Sequence, residues 1–415
     1  MKKSILLVLL IVTVVINSAA QNRSINFEET NEWQKVVKKA KKEKRLIFVD
    51  CYTSWCGPCT MLARNVFTND SVADFFNRHF VNVKYDMEKD ADASALKKQF
   101  GVRAYPTLLF VDPSSGKAIH RMTGAGSPRW LIREGQLAME PENNLSNMMK
   151  RYAAGEREKA FLWDYASALY TAYMLDEAAR VVCEYLEPLP VDSLILSENW
   201  YLINRYVTDP LCPLLKRVMA EREKFYVTIG QTKVDNKLSS SIYSAVEYLT
   251  QWHGKMKRAF DEKRNQELID YLLNTDFVAA PAGLAMLYTA ARVRAGDFRG
   301  MLEQVDKAIS YNVFRNNTEV AYFRNNIKKL TGCGDDALAR EGILRIDHFW
   351  DNVTNPFEKS NLLKVKASLQ TIIGDTVGIK ISTKGAERYY MEGLNGLSQE
   401  KKQKKNDKLK VIKVY

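Results

Sequence analysis

The chain has 415 residues and a formal net charge of +12, and 46% of its residues are hydrophobic. This length predicts two or three domains, and the apolar fraction is ordinary for a globular protein with a sizeable core. Much of the excess positive charge lies in two runs, at 35–45 and 401–413. We interpret both runs as solvated charge rather than as a surface for nucleic acid.

The first twenty residues have the features of a signal peptide. A basic head precedes an apolar stretch at 5–16, and the small residues at 18–20 suit a signal peptidase, so we expect the mature chain to begin at Gln21. The stretch is shorter than the ~20 residues of a spanning helix, although a retained anchor is the alternative. No cysteine follows the small residues to carry a lipid. We predict an exported, periplasmic protein without a membrane span after cleavage, in a compartment where disulfides persist.

Six cysteines are present, at positions 51, 56, 59, 183, 212 and 333. Cys56 and Cys59 have a C-x-x-C spacing, but the sequence has no second such pair and no paired histidines to complete a zinc site. We therefore expect no metal. The remaining interpretation of Cys56 and Cys59 is a disulfide that opens and closes.

The residues around this pair predict a strand followed by a helix. RLIFVDCY (45–52) is an apolar run typical of a buried strand, and CTMLARNVF (59–67) has apolar residues at helical spacing. Pro58 suits the first turn of the helix, which places Cys56 at its N-terminus. Unpaired N–H groups and the helix dipole there stabilise the nucleophilic thiolate. Cys59, one turn further on, can attack the mixed disulfide that Cys56 forms with a substrate.

The motif WCGPC (55–59) resembles the active-site motif of the thioredoxin family, and the resemblance covers roughly residues 27–140. It implies an α/β fold with a central mixed sheet flanked by helices. It also implies that Cys56 is the attacking thiol, that Cys59 is the resolving thiol, and that the disulfide works without a cofactor. Asp50 matches the family's buried acid, which handles the proton of the resolving thiol. A lone carboxylate in an apolar run is costly unless it has a function.

A second segment extends the resemblance. GVRAYPTLLF (101–110) looks like the segment that carries the family's cis-proline, which places Pro106 in the catalytic site. Gly124 matches the glycine that lets a substrate backbone approach. The substrate-binding residues implied by the resemblance are Trp55, Gly57, Pro58, Tyr105, Thr107 and Gly124.

Two positions depart from the family. We expect the lysine that thioredoxins place opposite the buried acid to be replaced by Asn82, with Lys84 on the same strand face as its substitute. Cys51 stands where an aromatic residue is more common. It is either a small buried apolar side chain or a redox switch with Cys56. Lys84 and Cys51 are therefore candidate auxiliary residues.

Beyond about residue 145 the sequence pattern becomes helical. Residues 161–190 and 283–309 each predict two packed helices, and AGDFRGMLEQVDKAI resembles part of a tetratricopeptide repeat. Such repeats present a concave binding surface, whereas the alternative is a plain helical bundle. We expect the C-terminal tail to be partly disordered. The predicted divisions are a signal peptide at 1–20, a thioredoxin-like domain at 21–140, a linker at 141–150, an all-α, tetratricopeptide-like region at 151–375 and a basic tail at 376–415.

The chain is similar to exported thioredoxin-like proteins and to the C-terminal thioredoxin domain of periplasmic transmembrane disulfide reductases. This similarity implies a thiol–disulfide oxidoreductase that reduces or isomerises disulfides in extracytoplasmic proteins. We expect its reduction potential to lie near that of thioredoxin, about −270 mV. It also implies a membrane reductase as electron donor, with the helical region binding clients or partners. The alternative is a helical-repeat adaptor whose thioredoxin domain is a scaffold or chaperone. The direction of electron flow is left open.

Overall fold

The computed structural model describes residues 23–30, 32–250, 259–314 and 318–412. The chain divides into two compact units, residues 1–207 and 208–415. The predicted signal peptide lies outside the described residues. Within those ranges, no helix is both long and apolar enough to cross a membrane.

The first unit contains a four-stranded mixed sheet in the order β2-β1-β3-β4. β1 (Leu46–Tyr52) runs parallel to β2 (Phe80–Asp86) and antiparallel to β3 (Thr107–Asp112), and β3 pairs antiparallel with β4 (Lys117–Thr123). The interior residues of β1 are buried on both faces, as a continuous apolar run predicts for a central strand.

Helices cover both faces of this sheet. They are α1 (Trp33–Glu43), α2 (Gly57–Asn65), α3 (Asp70–His79), α4 (Ala93–Phe100) and α5 (Pro128–Met139). On one face, α1 and α4 pack through Trp33 and Leu96. On the other face, α2, α3 and α5 pack through Leu62, Phe76 and Leu131. This arrangement confirms the predicted α/β fold.

The first unit continues into helices that are attached to the sheet. α6 and α7 lie against β4, where His120 is buried. His120 Nε2 bonds Glu134 on α5 at 3.0 Å, and His120 Nδ1 accepts the backbone N–H of Leu145 at 3.1 Å. The predicted linker thus contains the start of a helix, because its polar residue Asn144 is the N-cap of α6. These helices are α6 (Leu145–Ala153), α7 (Lys159–Thr171), α8 (Leu175–Leu186), α9 (Val191–Leu194) and α10 (Ser197–Tyr206).

The described residues of the second unit form helices joined by turns and loops, without strands, which confirms the predicted all-α region. Two predicted helix pairs form, α7 with α8 in the first unit and α15 with α16 in the second. Their assignment to tetratricopeptide repeats stays a prediction. The helices are α11 (Pro213–Ala220), α12 (Arg222–Ile229), α13 (Gln231–Thr250), α14 (Glu262–Leu273), α15 (Ala280–Arg294), α16 (Phe298–Ser310), α17 (Thr318–Lys329), α18 (Asp336–Phe349), α19 (Pro356–Ile372) and α20 (Thr376–Ile412), with 3-10 turns at Leu330–Gly332 and Trp350–Asn352.

The start of the predicted basic tail is folded. α20 packs along α19, where Ser360 Oγ donates to the carbonyl oxygen of Ala386 at 2.8 Å and Ser382 Oγ donates to Gln370 Oε1 at 2.8 Å. The sequence concealed this contact because small residues, rather than large apolar ones, form the packed face of α20.

Candidate active site

Cys56 and Cys59 form a disulfide at the N-terminus of α2. Cys56 is the N-cap residue, and its Sγ accepts the backbone N–H of Cys59 at 3.2 Å. Pro58 lies in the first turn, where its missing N–H costs nothing. Both cysteines are buried, whereas the preceding Trp55 is 68% exposed. The disulfide therefore lies beneath an exposed aromatic rim.

In the reduced protein we expect alkylation of Cys56 before Cys59. Cys56 lies at the helix N-terminus, where a thiolate is stabilised below the ordinary cysteine pKa of ~8.5. Iodoacetamide labelling at several pH values, read by peptide mass spectrometry, measures both rates. Cys51 is an internal control that should stay unlabelled because it is fully buried. Equal rates at Cys56 and Cys59 would contradict the assignment of the attacking thiol.

Asp50 lies on β1, six positions before Cys56, and is 6% exposed. Its Oδ1 has no hydrogen-bond partner among the described residues. Burial raises the pKa of Asp50 to about 7, and the positive charge of Lys84 opposes part of this shift. A carboxyl group that titrates near neutral pH can accept and return a proton during exchange. This property fits the proton-handling role implied by the family resemblance.

The predicted replacement of the family lysine by Asn82 is wrong. In the register of β1 and β2, Lys84 pairs directly with Asp50, whereas Asn82 pairs with Phe48. The Asn82 amide instead donates to the backbone oxygen of Phe76 at 3.5 Å. Spacing alone could not reveal this, because the apolar pattern of FVNVKYD does not specify which residues face each other across the strands. A lysine therefore does stand opposite the buried acid.

Cys51 lies on the opposite face of the sheet from Asp50. It is fully buried in the apolar cluster beneath α1 and α4, away from α2. Burial raises the pKa of its thiol well above the ordinary range, and the nearby Asp50 adds to this shift. These features favour the interpretation of Cys51 as an apolar core residue over that of a redox switch with Cys56.

The Pro106 segment meets the cysteine motif at the surface. The Trp55 and Tyr105 rings lie 6.1 Å apart, and Trp55 Nε1 donates to Glu88 Oε2 at 2.9 Å. The Tyr105–Pro106 peptide bond is cis, as the resemblance led us to expect. The backbone N–H of Gly124 donates to the carbonyl oxygen of Pro106 at 2.9 Å. Trp55, Tyr105 and Gly124 are therefore brought together around Pro106.

The other predicted substrate-binding residues divide into two groups. Gly57 and Pro58 are exposed at the start of α2. Thr107 is 1% exposed, and its hydroxyl donates to the backbone oxygen of Ala104 at 2.8 Å. Thr107 therefore supports the turn before β3. Sequence reasoning missed Glu88, because its contact with Trp55 depends on how the loop after β2 folds.

No group of three or more His, Cys, Asp and Glu side chains within the described ranges could hold a metal ion. The expectation that the disulfide works without a cofactor stays a prediction.

Comparisons with known proteins agree with this fold and site. A family model described as a thioredoxin-like domain matches residues 33–134. Thioredoxin H2 of Arabidopsis thaliana is 35% identical over 104 residues, which are 25% of this chain and 71% of that protein. This chain belongs to the thioredoxin family. Its fold and its Cys56–Cys59 pair are of the thiol–disulfide oxidoreductase type.

Two solved structures also match part of this chain. A candidate disulphide-isomerase from Bacteroides thetaiotaomicron, solved in solution, is 46% identical over 29% of this chain and 98% of that chain, with a TM-score of 0.27. The oxidised C-terminal domain of DsbD from Neisseria meningitidis is 16% identical over 27% of this chain and 97% of that chain, with a TM-score of 0.24.

Proposed function

We propose that this protein is an exported thiol–disulfide oxidoreductase that reduces or isomerises disulfides in extracytoplasmic proteins. The observation that carries the proposal is the Cys56–Cys59 disulfide at a helix N-terminus. A buried carboxyl group with a pKa of about 7 lies on the strand that leads to it. A scaffold would need neither the disulfide nor the buried acid.

In the reducing direction, two thiols of the protein are exchanged for one disulfide. The Cys56 thiolate attacks a substrate disulfide, which forms a mixed disulfide and releases one substrate thiolate. Cys59 then loses its proton to the Asp50 carboxylate and attacks Cys56 Sγ. This step closes the Cys56–Cys59 disulfide and releases the second substrate thiolate, so two electrons pass to the substrate. Isomerisation uses the same first step. The released substrate thiolate attacks a different substrate disulfide and frees another substrate thiolate, which then attacks the substrate sulfur bound to Cys56. This forms the rearranged disulfide and releases the Cys56 thiolate, with no net transfer of electrons.

Turnover as a reductase requires an external source of two electrons. The N-terminal pattern of a basic head, an apolar stretch and small residues supports export to an oxidising compartment. We propose that a membrane reductase reduces Cys56–Cys59 again. The disulfide itself serves as the redox group.

We propose that the helical region binds clients or partners. The second unit contains a cavity of about 560 Å³ among α13, α15 and α17, lined by apolar side chains such as Met286, Phe314 and Tyr322. A cavity of this size can take one or two side chains of another protein. Added contact area of this kind raises the local concentration of a client at the disulfide.

The proposal is tested by trapping. Cys59→Ser leaves Cys56 able to form mixed disulfides but unable to resolve them, so the full-length variant should accumulate client adducts that disappear on reduction. Diagonal electrophoresis of the exported fraction followed by mass spectrometry identifies them. Cys56→Ser is the matched control and should trap none. An exported fraction without reducible adducts would contradict the proposed function.

The same variant tests the helical region. A Cys59→Ser fragment ending at Val207 keeps α6 and α7 against β4 but lacks the second unit. We expect this fragment to trap fewer of the specific clients than the full chain traps. An identical set of adducts at the same yield would show that the second unit does not select clients. Specific partners retained without any mixed disulfide would favour the adaptor alternative.

A further inference from the structure

We propose that the substrate groove of this protein prefers disulfides flanked by acidic residues, and that Lys97 is the principal determinant of this preference. The inference rests on the proposed function, because it names the class of substrate that the Cys56–Cys59 site accepts.

Lys97 is held at the rim of the active site. Its Nζ lies 5.6 Å from the centroid of the Tyr105 ring, and that ring lies 6.1 Å from the ring of Trp55. Tyr105 precedes Pro106, and Trp55 precedes Cys56. A cation over an aromatic face is attracted by the ring. The ammonium group therefore lies beside the ring that precedes Pro106, at the rim of the active site.

Two further cations lie close in sequence to the segments that carry Pro106 and Gly124. Arg103 lies two residues before Tyr105, and Arg129 lies in the first turn of α5 after Gly124. All three cations, Lys97 included, are exposed, and none forms an ion pair with a described residue. Burial lowers the pKa of the neighbouring Arg121 guanidinium, and the positive charge of Arg103 lowers it further. Arg103 therefore lies close enough to Arg121 on β4 for their positive charges to interact.

The acidic groups on the Trp55 side accept hydrogen bonds or pair with Lys89, and apart from Asp86 their negative charge is not neutralised by an ion pair with a described residue. Glu88 accepts the indole N–H of Trp55, and Asp86 lies 3.5 Å from Lys89 Nζ. Asp90 accepts the backbone N–H of Asp86 at 2.8 Å, and Asp92 accepts that of Trp33 at 2.8 Å. The Trp55 side of the rim is therefore acidic, and the positive charge that an incoming peptide can meet lies on the Tyr105 side, at Lys97.

An acidic residue beside the substrate disulfide would meet this charge. At roughly 6 Å in water, Coulomb's law predicts that one pair of opposite charges raises the local concentration of the substrate about threefold. Reversing the sign of the substrate charge changes this concentration about tenfold. The gain falls with added salt, because the Debye length shortens. Steering of this kind acts mainly on the association rate.

The experiment compares two synthetic peptides that each carry one internal disulfide and differ only in having aspartate or lysine residues beside the cysteines. Chemically reduced full-length protein is mixed with each peptide, and the single-turnover rate is measured at low and high salt. At low salt, the wild type should reduce the aspartate peptide about tenfold faster than the lysine peptide. Lys97→Arg should keep this preference, and Lys97→Glu should abolish or reverse it.

Lys117→Glu is the matched control, because it makes the same charge change at the far end of the β3–β4 hairpin. The five steps along β3 from Thr107 to Asp112 span about 17 Å. This variant should keep the wild-type preference. A wild type that reduces both peptides equally fast would overturn the proposed specificity while leaving the proposed function standing. If Lys117→Glu also lost the preference for the aspartate peptide, the proposal would be overturned, because the change in net charge alone would explain the effect. A wild type that reduces neither peptide nor insulin would overturn the proposed function itself.

Discussion

Replacing Cys56 with serine is expected to lower the rate of insulin reduction to the background rate that dithiothreitol gives without the protein. A hydroxyl group remains protonated at neutral pH, so the helix N-terminus has no anion to stabilise and the mixed disulfide cannot form. The assay follows insulin precipitation with dithiothreitol as the electron source. This substrate tests the chemistry separately from the choice of physiological client.

Cys333→Ser is the matched control. It makes the same chemical change in the second unit, outside the C-x-x-C motif, and should keep the wild-type rate. Substantial insulin reduction by Cys56→Ser would remove Cys56 from its assigned role. If Cys59→Ser alone lost the first step of exchange, the roles of the two thiols would be reversed.

Replacing Asp50 with asparagine is expected to stabilise the first unit at alkaline pH. The folded carboxyl group has a pKa of about 7, against 3.8 for the ordinary value. Between these values the folded protein holds a proton that the unfolded chain has lost. The contribution of Asp50 to stability is therefore fully present below pH 3.8 and is lost as the pH rises to about 7. Above that pH, the free energy of unfolding is lower by on the order of 4 kcal/mol than it would be with Asp50 protonated.

Asparagine does not ionise. The free energy of unfolding of the variant should therefore exceed that of the wild type by about this amount near pH 8 and equal it near pH 4. Hydrogen exchange of the β1 amides in the full chain reports the free energy of opening at each pH. Asp164→Asn, at an exposed position on α7, should have no comparable effect. A gain for Asp50→Asn that does not change with pH would show that the raised pKa is not its cause.

The active-site strand and helix could be predicted because their signals are local. The apolar run that ends at Tyr52, the two cysteines one turn apart and Pro58 all act within a few residues of each other. Sequence spacing placed Cys56 at the N-terminus of a helix, where the structure has it. The family resemblance added Asp50 and Pro106, which no local pattern would have joined to the cysteines.

The remaining features depend on contacts between distant segments. The position of Lys84 opposite Asp50 depends on the register of two strands, which the apolar pattern does not specify. Lys97 reaches the active site only because α4 packs beside the Pro106 segment. His120 is a lone histidine in the sequence, and its hydrogen-bond donor at Leu145 lies 25 residues away. For that reason the polar segment before α6 resembled a linker.

The contacts of α6 and α7 with β4 also affect how the catalytic unit behaves in solution by itself. β4 is the last strand of the sheet, and an unprotected edge strand is a template for pairing with another copy of the chain. A fragment cut at residue 140, the predicted end of the domain, would lack both helices and leave His120 Nδ1 without its donor. We expect such a fragment to self-associate more readily than one that ends at Val207. In this chain, α6 and α7 contact β4, and we infer that they limit access to this edge.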